Sequence, residues 1–98
     1  MTRPEAVPTV QVDQPHVKVT EWRFAPGAET GWHRHPYDYV VVPITHGTLL
    51  IETLQDSVEV QLTLGQSYTR QVGVEHNVVN AGAEIGRASC RERVYSSV

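Results

Sequence analysis

Apolar and polar residues alternate along much of the chain with a period of two, rather than the period of 3.6 that an amphipathic helix requires. Residues 16–24, His-Val-Lys-Val-Thr-Glu-Trp-Arg-Phe, show this alternation clearly, and successive side chains on a strand point to opposite faces. Val, Thr, Tyr and Trp are frequent, and Gly or Pro interrupts the pattern every several residues. The pattern therefore predicts short strands joined by turns, with almost no helix.

Six strands are predicted between these interruptions. They span residues 16–24, 39–44, 48–54, 58–64, 67–72 and 75–79. The segment Gln55-Asp56-Ser57 reads as the turn of a hairpin, and the Pro-rich residues 1–13 read as an arm or an edge strand. Closely spaced short strands are typical of a sandwich or a barrel. The predicted fold class is therefore all-β.

Length and composition limit the kinds of protein this chain can be. With 98 residues, 40% hydrophobic and 19% charged, it makes one globular domain with a modest core, which a partner subunit in a homodimer would help to stabilise. A net charge of −3 argues against a nucleic-acid partner. No apolar run is long enough to cross a bilayer. No signal peptide is visible, which predicts a cytoplasmic protein by default and leaves secretion open if a leader precedes Met1.

The last fifteen residues differ in composition from the rest. Residues 1–83 carry five Lys and Arg against nine Asp and Glu, whereas residues 84–98 carry three Arg against two Glu and the single cysteine, Cys90. The string from Glu84 to Val94 resembles a translated sequencing adapter, as found in genes from metagenomic assembly. We therefore expect residues 1–83 to form the domain and residues 84–98 to be a non-native tail. An ordinary C-terminal strand is the alternative.

Three histidines are placed in a way that predicts a metal site. His33 and His35 are two positions apart, so on a strand their imidazoles point to the same face. His76 follows about forty residues later, in a second Gly-rich segment that an antiparallel barrel can bring beside the first. Neutral imidazole is the commonest metal ligand among side chains. The sequence therefore predicts one divalent ion held by these three residues.

Two segments around these histidines resemble the two motifs of the cupin family. The first is Gly27-x5-His33-x-His35-x4-Val40-x6-Gly47, and the second is Gly65-x5-Gln71-x-Gly73-x2-His76-x3-Asn80. Together they cover more than half of the chain. The resemblance implies a single-domain jelly roll, or double-stranded β-helix, with the metal inside the mouth of a small barrel. It also implies a homodimer formed by strand exchange or sheet packing.

The first motif departs from the family at its metal-binding glutamate. The spacing to Gly47 puts Val40 at that position, with Asp38 and Tyr39 as alternatives if the strand bulges. This resembles the three-histidine cupins, which have no carboxylate ligand. Three neutral ligands leave the ion its full charge and suit copper or iron, with zinc, manganese or nickel also open.

Four further residues near the motifs are candidates for binding substrate. Trp32 and Tyr37 flank the histidine pair, and Tyr68 and Arg70 alternate in phase on one strand. An aromatic side chain at the cleft could stack on a sugar or another flat substrate, and Arg70 could hold an anion. The alternative for the aromatic residues is a place in the barrel core or at a dimer interface.

The resemblance to cupins implies several functions, because cupins host many chemistries. The first expectation is a mononuclear metal-dependent oxidoreductase that uses oxygen or peroxide, including copper-dependent oxidative cleavage of a polysaccharide such as cellulose. An iron-dependent dioxygenase of small molecules is the second. A non-redox isomerase or lyase, a protein of small-molecule catabolism such as β-alanine degradation, and a non-catalytic metabolite-binding cupin also remain open.

Overall fold

A computed structural model describes residues 2–92 and contains only strands and turns in that range. The strands are β1 (Val7–Gln14), β2 (Val17–Phe24), β3 (His33–Arg34), β4 (Tyr39–Pro43), β5 (Gly47–Glu52), β6 (Ser57–Leu62), β7 (Tyr68–Arg70), β8 (Glu75–Asn80) and β9 (Gly86–Glu92). The predicted all-β fold is confirmed. The six predicted strands correspond to β2 and β4–β8, and the predicted edge strand corresponds to β1. No helix that could span a membrane occurs among the described residues.

The strands form two antiparallel sheets that face each other as a jelly roll. One sheet has the order β1-β2-β9-β4-β7, and the other has the order β3-β8-β5-β6. Buried side chains of both sheets, with those of two connecting segments, make one small core. Its members are Ala6, Phe24, Ala28, Leu49, Leu62 and Val78. Three of these residues, Phe24, Leu49 and Val78, also line a cavity between the sheets.

Asn80 closes the end of the barrel opposite the cavity. Its side chain is 4% exposed, and Nδ2 donates to the carbonyl oxygens of Phe24 and Glu84 at 3.1 and 2.8 Å. Its Oδ1 accepts a hydrogen bond from the Gly82 amide at 2.9 Å. Asn80 therefore satisfies backbone groups that would otherwise be buried without partners, which gives this position of the second motif a structural role.

Strand β9 lies in the segment that the sequence analysis separated as a tail. Gly86–Glu92 pairs with β2 on one side and with β4 on the other, so these residues occupy the centre of the five-stranded sheet. That residues 84–98 are non-native is a statement about the origin of the gene, which the place of β9 in the sheet does not test, and it stays a prediction. Residues 93–98 lie outside the described residues.

Candidate metal centre

The pairing of β3 with β8 places the first and third histidines side by side. His33 lies directly opposite His76 in the antiparallel register. His35 follows β3, and its backbone is fixed by two hydrogen bonds. Its amide donates to the carbonyl of Val74, and its carbonyl accepts from the amide of Gly73, both at 2.9 Å. Gly73 has a φ of 92°, a conformation that glycine adopts without a Cβ penalty.

The three imidazoles converge on one point. The Nε2 atoms are 3.0 Å apart for His33 and His35, 3.2 Å for His35 and His76, and 3.1 Å for His76 and His33. Three nitrogen ligands about 2.1 Å from one ion, at angles of 90–110°, lie about 2.9–3.4 Å from one another. The observed triangle therefore fits a single transition-metal ion. Among residues 2–92, no carboxylate joins this cluster.

The orientation of the His33 ring is set by its other nitrogen. Nδ1 lies 2.8 Å from the carbonyl oxygen of Gly31. A carbonyl oxygen only accepts, so Nδ1 carries the proton and the lone pair is on Nε2, which faces the other two histidines. Such outer hydrogen bonds fix the tautomer of metal-binding histidines and raise their basicity.

Asn77 holds the loop that supplies this carbonyl. Its side chain is 2% exposed, and Oδ1 accepts from the Gly31 amide at 2.9 Å. Its Nδ2 donates to Glu29 at 2.8 Å and to Glu52 at 2.9 Å. Arg3 forms ion pairs with the same two carboxylates. A polar network therefore ties the N-terminal segment to the histidine loop, and the sequence analysis did not find it because its members are far apart in the chain.

Electrostatics keep two of the three rings uncharged. Burial lowers the pKa of His35 to about 4, and the neighbouring His33 and His76 contribute in the same direction. Burial and the neighbouring His33 likewise lower the pKa of His76 to about 4. At neutral pH both rings are therefore neutral and offer lone pairs, which is the state that metal binding requires.

Tyr39, not Val40, faces the histidines from strand β4. The ring of Tyr39 stacks on the ring of His35, with centroids 3.7 Å apart and an interplanar angle of 18°. Tyr39 and Val41 line the cavity and Val40 does not, because side chains alternate across a strand. The expectation that Val40 occupies the glutamate position is therefore wrong by one residue. The six-residue spacing to Gly47 selects Val40, whose side chain lies on the face of β4 opposite to that of Tyr39.

The histidines open into a cavity of about 280 Å³. Its wall is mostly apolar, with Trp22, Val41, Ile51, Val60 and Tyr68 among its members. Ligand sites of this kind typically have apolar walls and a few polar groups that set orientation. The arrangement can hold a small molecule beside a metal ion and away from bulk water.

The four predicted substrate-binding residues divide into two pairs. Tyr68 and Arg70 line the cavity, whereas Trp32 and Tyr37 are not part of its wall. Trp32 is 53% exposed and Tyr37 is 36% exposed. Binding of a substrate by any of the four stays a prediction.

The hydroxyl of Tyr39 is a feature that the sequence analysis did not find. Tyr39 is 3% exposed, and its oxygen has no hydrogen-bond partner among residues 2–92. A buried polar group without a partner costs about 1–3 kcal/mol. Burial also raises the pKa of Tyr39 well above its usual range, so the hydroxyl remains a hydrogen-bond donor. Tyr39 is therefore a buried phenol without a partner in the wall of a largely apolar cavity.

Known proteins share this fold and much of this sequence. The family model described as Cupin domain matches residues 20–90. The beta-alanine degradation protein BauB of Pseudomonas aeruginosa is 67% identical over 81 residues, which cover 83% of this chain and 85% of that protein. The crystal structure of a cupin domain from Bordetella pertussis Tohama I has a TM-score of 0.91 at 61% identity, covering 94% of this chain and 96% of that one. The chain therefore belongs to the cupin family.

A more distant structure shows how far the fold extends. A recombinant oxalate oxidase in complex with glycolate has a TM-score of 0.73 at 18% identity, with 95% of this chain and 53% of that chain covered. At this identity the likeness shows the fold alone.

Replacing His76 with alanine should remove one corner of the nitrogen triangle. We expect His76→Ala to lower metal affinity by more than the roughly 10–100-fold that loss of an outer hydrogen-bond partner costs. His46→Ala is the control, because His46 is exposed and its Nδ1 accepts only from the Leu64 amide. Metal content per chain by mass spectrometry compares them. Equal metal content in the two variants would contradict the three-histidine site.

A carboxylate introduced at position 39 should change the preferred metal. We expect Tyr39→Glu to raise affinity for manganese relative to copper, because carboxylates suit harder ions. Val40→Glu should leave the preference unchanged, since position 40 lies on the other face of β4. Competition titrations with the two metals measure this. The opposite ranking of the two variants would restore Val40 to the site.

Proposed function

We propose that this cupin is a mononuclear metal-dependent oxidoreductase that acts on a small molecule in β-alanine breakdown. The observation that carries the proposal is the triangle of Nε2 atoms, 3.0–3.2 Å on each side, at an apolar cavity. In it, His33, His35 and His76 are the metal ligands and the catalytic centre. Copper or iron is the metal we favour.

The donor set supports a redox-active ion over magnesium or calcium. Three neutral imidazoles suit copper, iron, zinc or nickel, whereas magnesium and calcium prefer oxygen ligands. A bound copper or iron ion would supply electron transfer to oxygen or peroxide. The protein's own contribution is to fix three ligands on one side, so that the remaining positions open into the cavity. The apolar wall keeps water away from reactive species there.

The size of the cavity and the sequence likeness to BauB support a small substrate. A volume of about 280 Å³ is near the lower end of typical small-molecule sites, and it is too small to enclose a polysaccharide chain. Trp32 and Tyr37, the residues suited to stacking on a sugar, are outside the cavity wall. BauB, at 67% identity, is named for the degradation of β-alanine. We therefore favour a small metabolite over cellulose as the substrate, with Tyr68 and Arg70 in contact with it.

A non-redox reaction is the second candidate, and the same ligand set favours it when zinc is bound. Zinc held by three histidines lowers the pKa of its bound water to about 7. An isomerase or a lyase would then use the same cavity. The identity of the bound metal and the use of oxygen distinguish the two candidates.

Oxygen uptake should depend on the metal and on His76. We expect the copper- or iron-loaded chain to consume oxygen or peroxide with a three-carbon carboxylate such as β-alanine or propionate, and the zinc-loaded chain to consume none. His76→Ala should lower the rate of the redox-metal form at least about tenfold through metal loss. An oxygen electrode and mass spectrometry of the products measure this. Product formation by the zinc form without oxygen uptake would favour the second candidate.

We further propose that the chain forms a homodimer through β1. All eight residues of β1 are exposed on both faces, and they include Val7, Val10 and Val12. The strand is at the edge of its sheet, and a long exposed edge strand is a template for pairing with another chain. A second copy of the same strand would cover both the apolar side chains and the free backbone groups.

Light scattering tests this interface. We expect the wild-type chain to have twice the chain mass and Val10→Lys to shift the population towards the monomer. Leu54→Lys is the matched control, because Leu54 is 72% exposed but lies in the β5–β6 turn, away from β1. A monomeric wild-type chain, or equal dissociation in both variants, would contradict a dimer through β1.

A further inference from the structure

Tyr39 is part of the cavity wall, and its buried hydroxyl is a hydrogen-bond donor that the described protein atoms do not use. The side chain is almost completely buried, and its hydroxyl has no partner among residues 2–92. The ring cannot easily turn away, because it is stacked on His35. Buried tyrosine hydroxyls normally find a partner. This geometry points to an acceptor that belongs to a bound molecule.

Arg70 supplies a second donor beside the first. It lies directly opposite Tyr39 in the β4–β7 register, so both side chains project from the same face of the sheet, and both line the cavity. One guanidinium nitrogen donates to the Thr69 carbonyl at 2.8 Å, and the guanidinium carbon is 4.7 Å from the centre of the Tyr68 ring. This packing holds the charged group in place at the cavity wall.

The guanidinium keeps most of its donors available. Within residues 2–92, the arginines that form ion pairs are Arg3, Arg23 and Arg87, and no carboxylate pairs with Arg70. A guanidinium presents five N–H donors in a planar fork that matches the two oxygens of a carboxylate. Arg70 without an ion pair and the Tyr39 hydroxyl without a partner are therefore two unmatched donor groups of the wall, within residues 2–92.

We propose that Tyr39 and Arg70 form a clamp for the carboxylate group of the substrate, which makes a short-chain carboxylate the substrate class. The clamp extends the proposed function and rests on it, because only that proposal makes the bound carboxylate a substrate. The carboxylate lies at the β4–β7 wall, and the rest of the molecule extends along apolar side chains towards the three histidines. Tyr39 would then bind substrate and support His35 at once, since one face of its ring contacts that histidine.

The chemistry of the wall favours a carboxylate over other groups. Arg70 is exposed at the edge of the cavity, and its permanent positive charge makes charge-assisted hydrogen bonds with an anion that it cannot make with an uncharged ligand. A phosphate has more acceptor oxygens than the one arginine and one hydroxyl can satisfy. A primary amide would place its own N–H₂ donor beside the donors of Arg70 and Tyr39, whereas both oxygens of a carboxylate accept. A site built to bond one polar group rejects close analogues that leave its own groups unpaired.

Calorimetry with propionate and propionamide on the zinc-loaded protein tests the clamp. The probes differ only in the carboxylate, and zinc makes the measurement independent of any redox activity. We expect propionate to bind at least about tenfold more tightly than propionamide. Tyr39→Phe keeps the ring that stacks on His35 and should weaken propionate about tenfold. Arg70→Gln should weaken it about 10–100-fold, in the range of hydrogen bonds to charged groups.

A double-mutant cycle distinguishes one shared ligand group from two separate effects. If both residues hold the same carboxylate, the double variant should lose less affinity than the product of the two single losses. Thr48→Val is the matched control for loss of a hydroxyl, because Thr48 donates to Gln61 on an exposed surface and should bind propionate like wild type. Zinc content should be one per chain in every variant.

Two results would overturn the clamp. Wild-type affinity for propionate in Tyr39→Phe would mean that the carboxylate binds elsewhere, for example directly to the metal. Losses that simply multiply would mean that the two residues do not share a ligand group. Either result leaves oxygen uptake by the copper or iron form intact. Loss of oxygen uptake with the clamp intact would instead contradict the oxidoreductase proposal.

Discussion

The register between β3 and β8 is the constraint on which the metal centre depends. It sets His33 opposite His76, and the strand geometry then carries His35 to the same face two positions later. A shift of one residue in this pairing would put His33 and His76 on opposite faces of the sheet. Two backbone hydrogen bonds hold the register from outside: the His35 amide donates to the Val74 carbonyl, and the Gly73 amide donates to the His35 carbonyl. The two residues of β3 are sufficient to hold this register because hydrogen bonds also fix the loops on either side of the strand.

The second layer around the histidines is polar and connected, whereas the cavity in front of them is apolar. Asn77 links Gly31, and through it His33, to two carboxylates and an arginine. On the other side, Tyr39 covers one ring face of His35. The His33 ring is therefore held from behind by a hydrogen bond, and the His35 ring is held from the side by stacking. This arrangement preorganises the nitrogen atoms before any ion arrives, so binding does not have to order them.

The sequence predicts the strands and the histidine triad well, because both depend on local patterns. Alternation identifies β2, short runs between Gly and Pro turn signals identify β4–β8, and the i, i+2 spacing identifies His33 and His35. Which residue of β4 faces inward depends on pairing with β7 and β9, which is not local. The motif spacing therefore selected Val40, although the pleat presents Tyr39. Composition separated residues 84–98 from the rest of the chain. Whether a segment joins a sheet depends on the strands that can pair with it, and Gly86–Glu92 pairs with both β2 and β4.

The central place of β9 has a consequence for how the chain folds during synthesis. Until Gly86–Glu92 leave the ribosome, β2 and β4 have no common neighbour, and one wall of the cavity is missing. Strand β9 is far in sequence from β2 and β4, so the chain must lose the entropy of a long loop before these contacts form. Sheets with such non-local pairing fold slowly. The nascent chain therefore displays two unpaired strand edges, one on β2 and one on β4, until β9 has been made. Unpaired strand edges of this kind make a folding intermediate prone to aggregation.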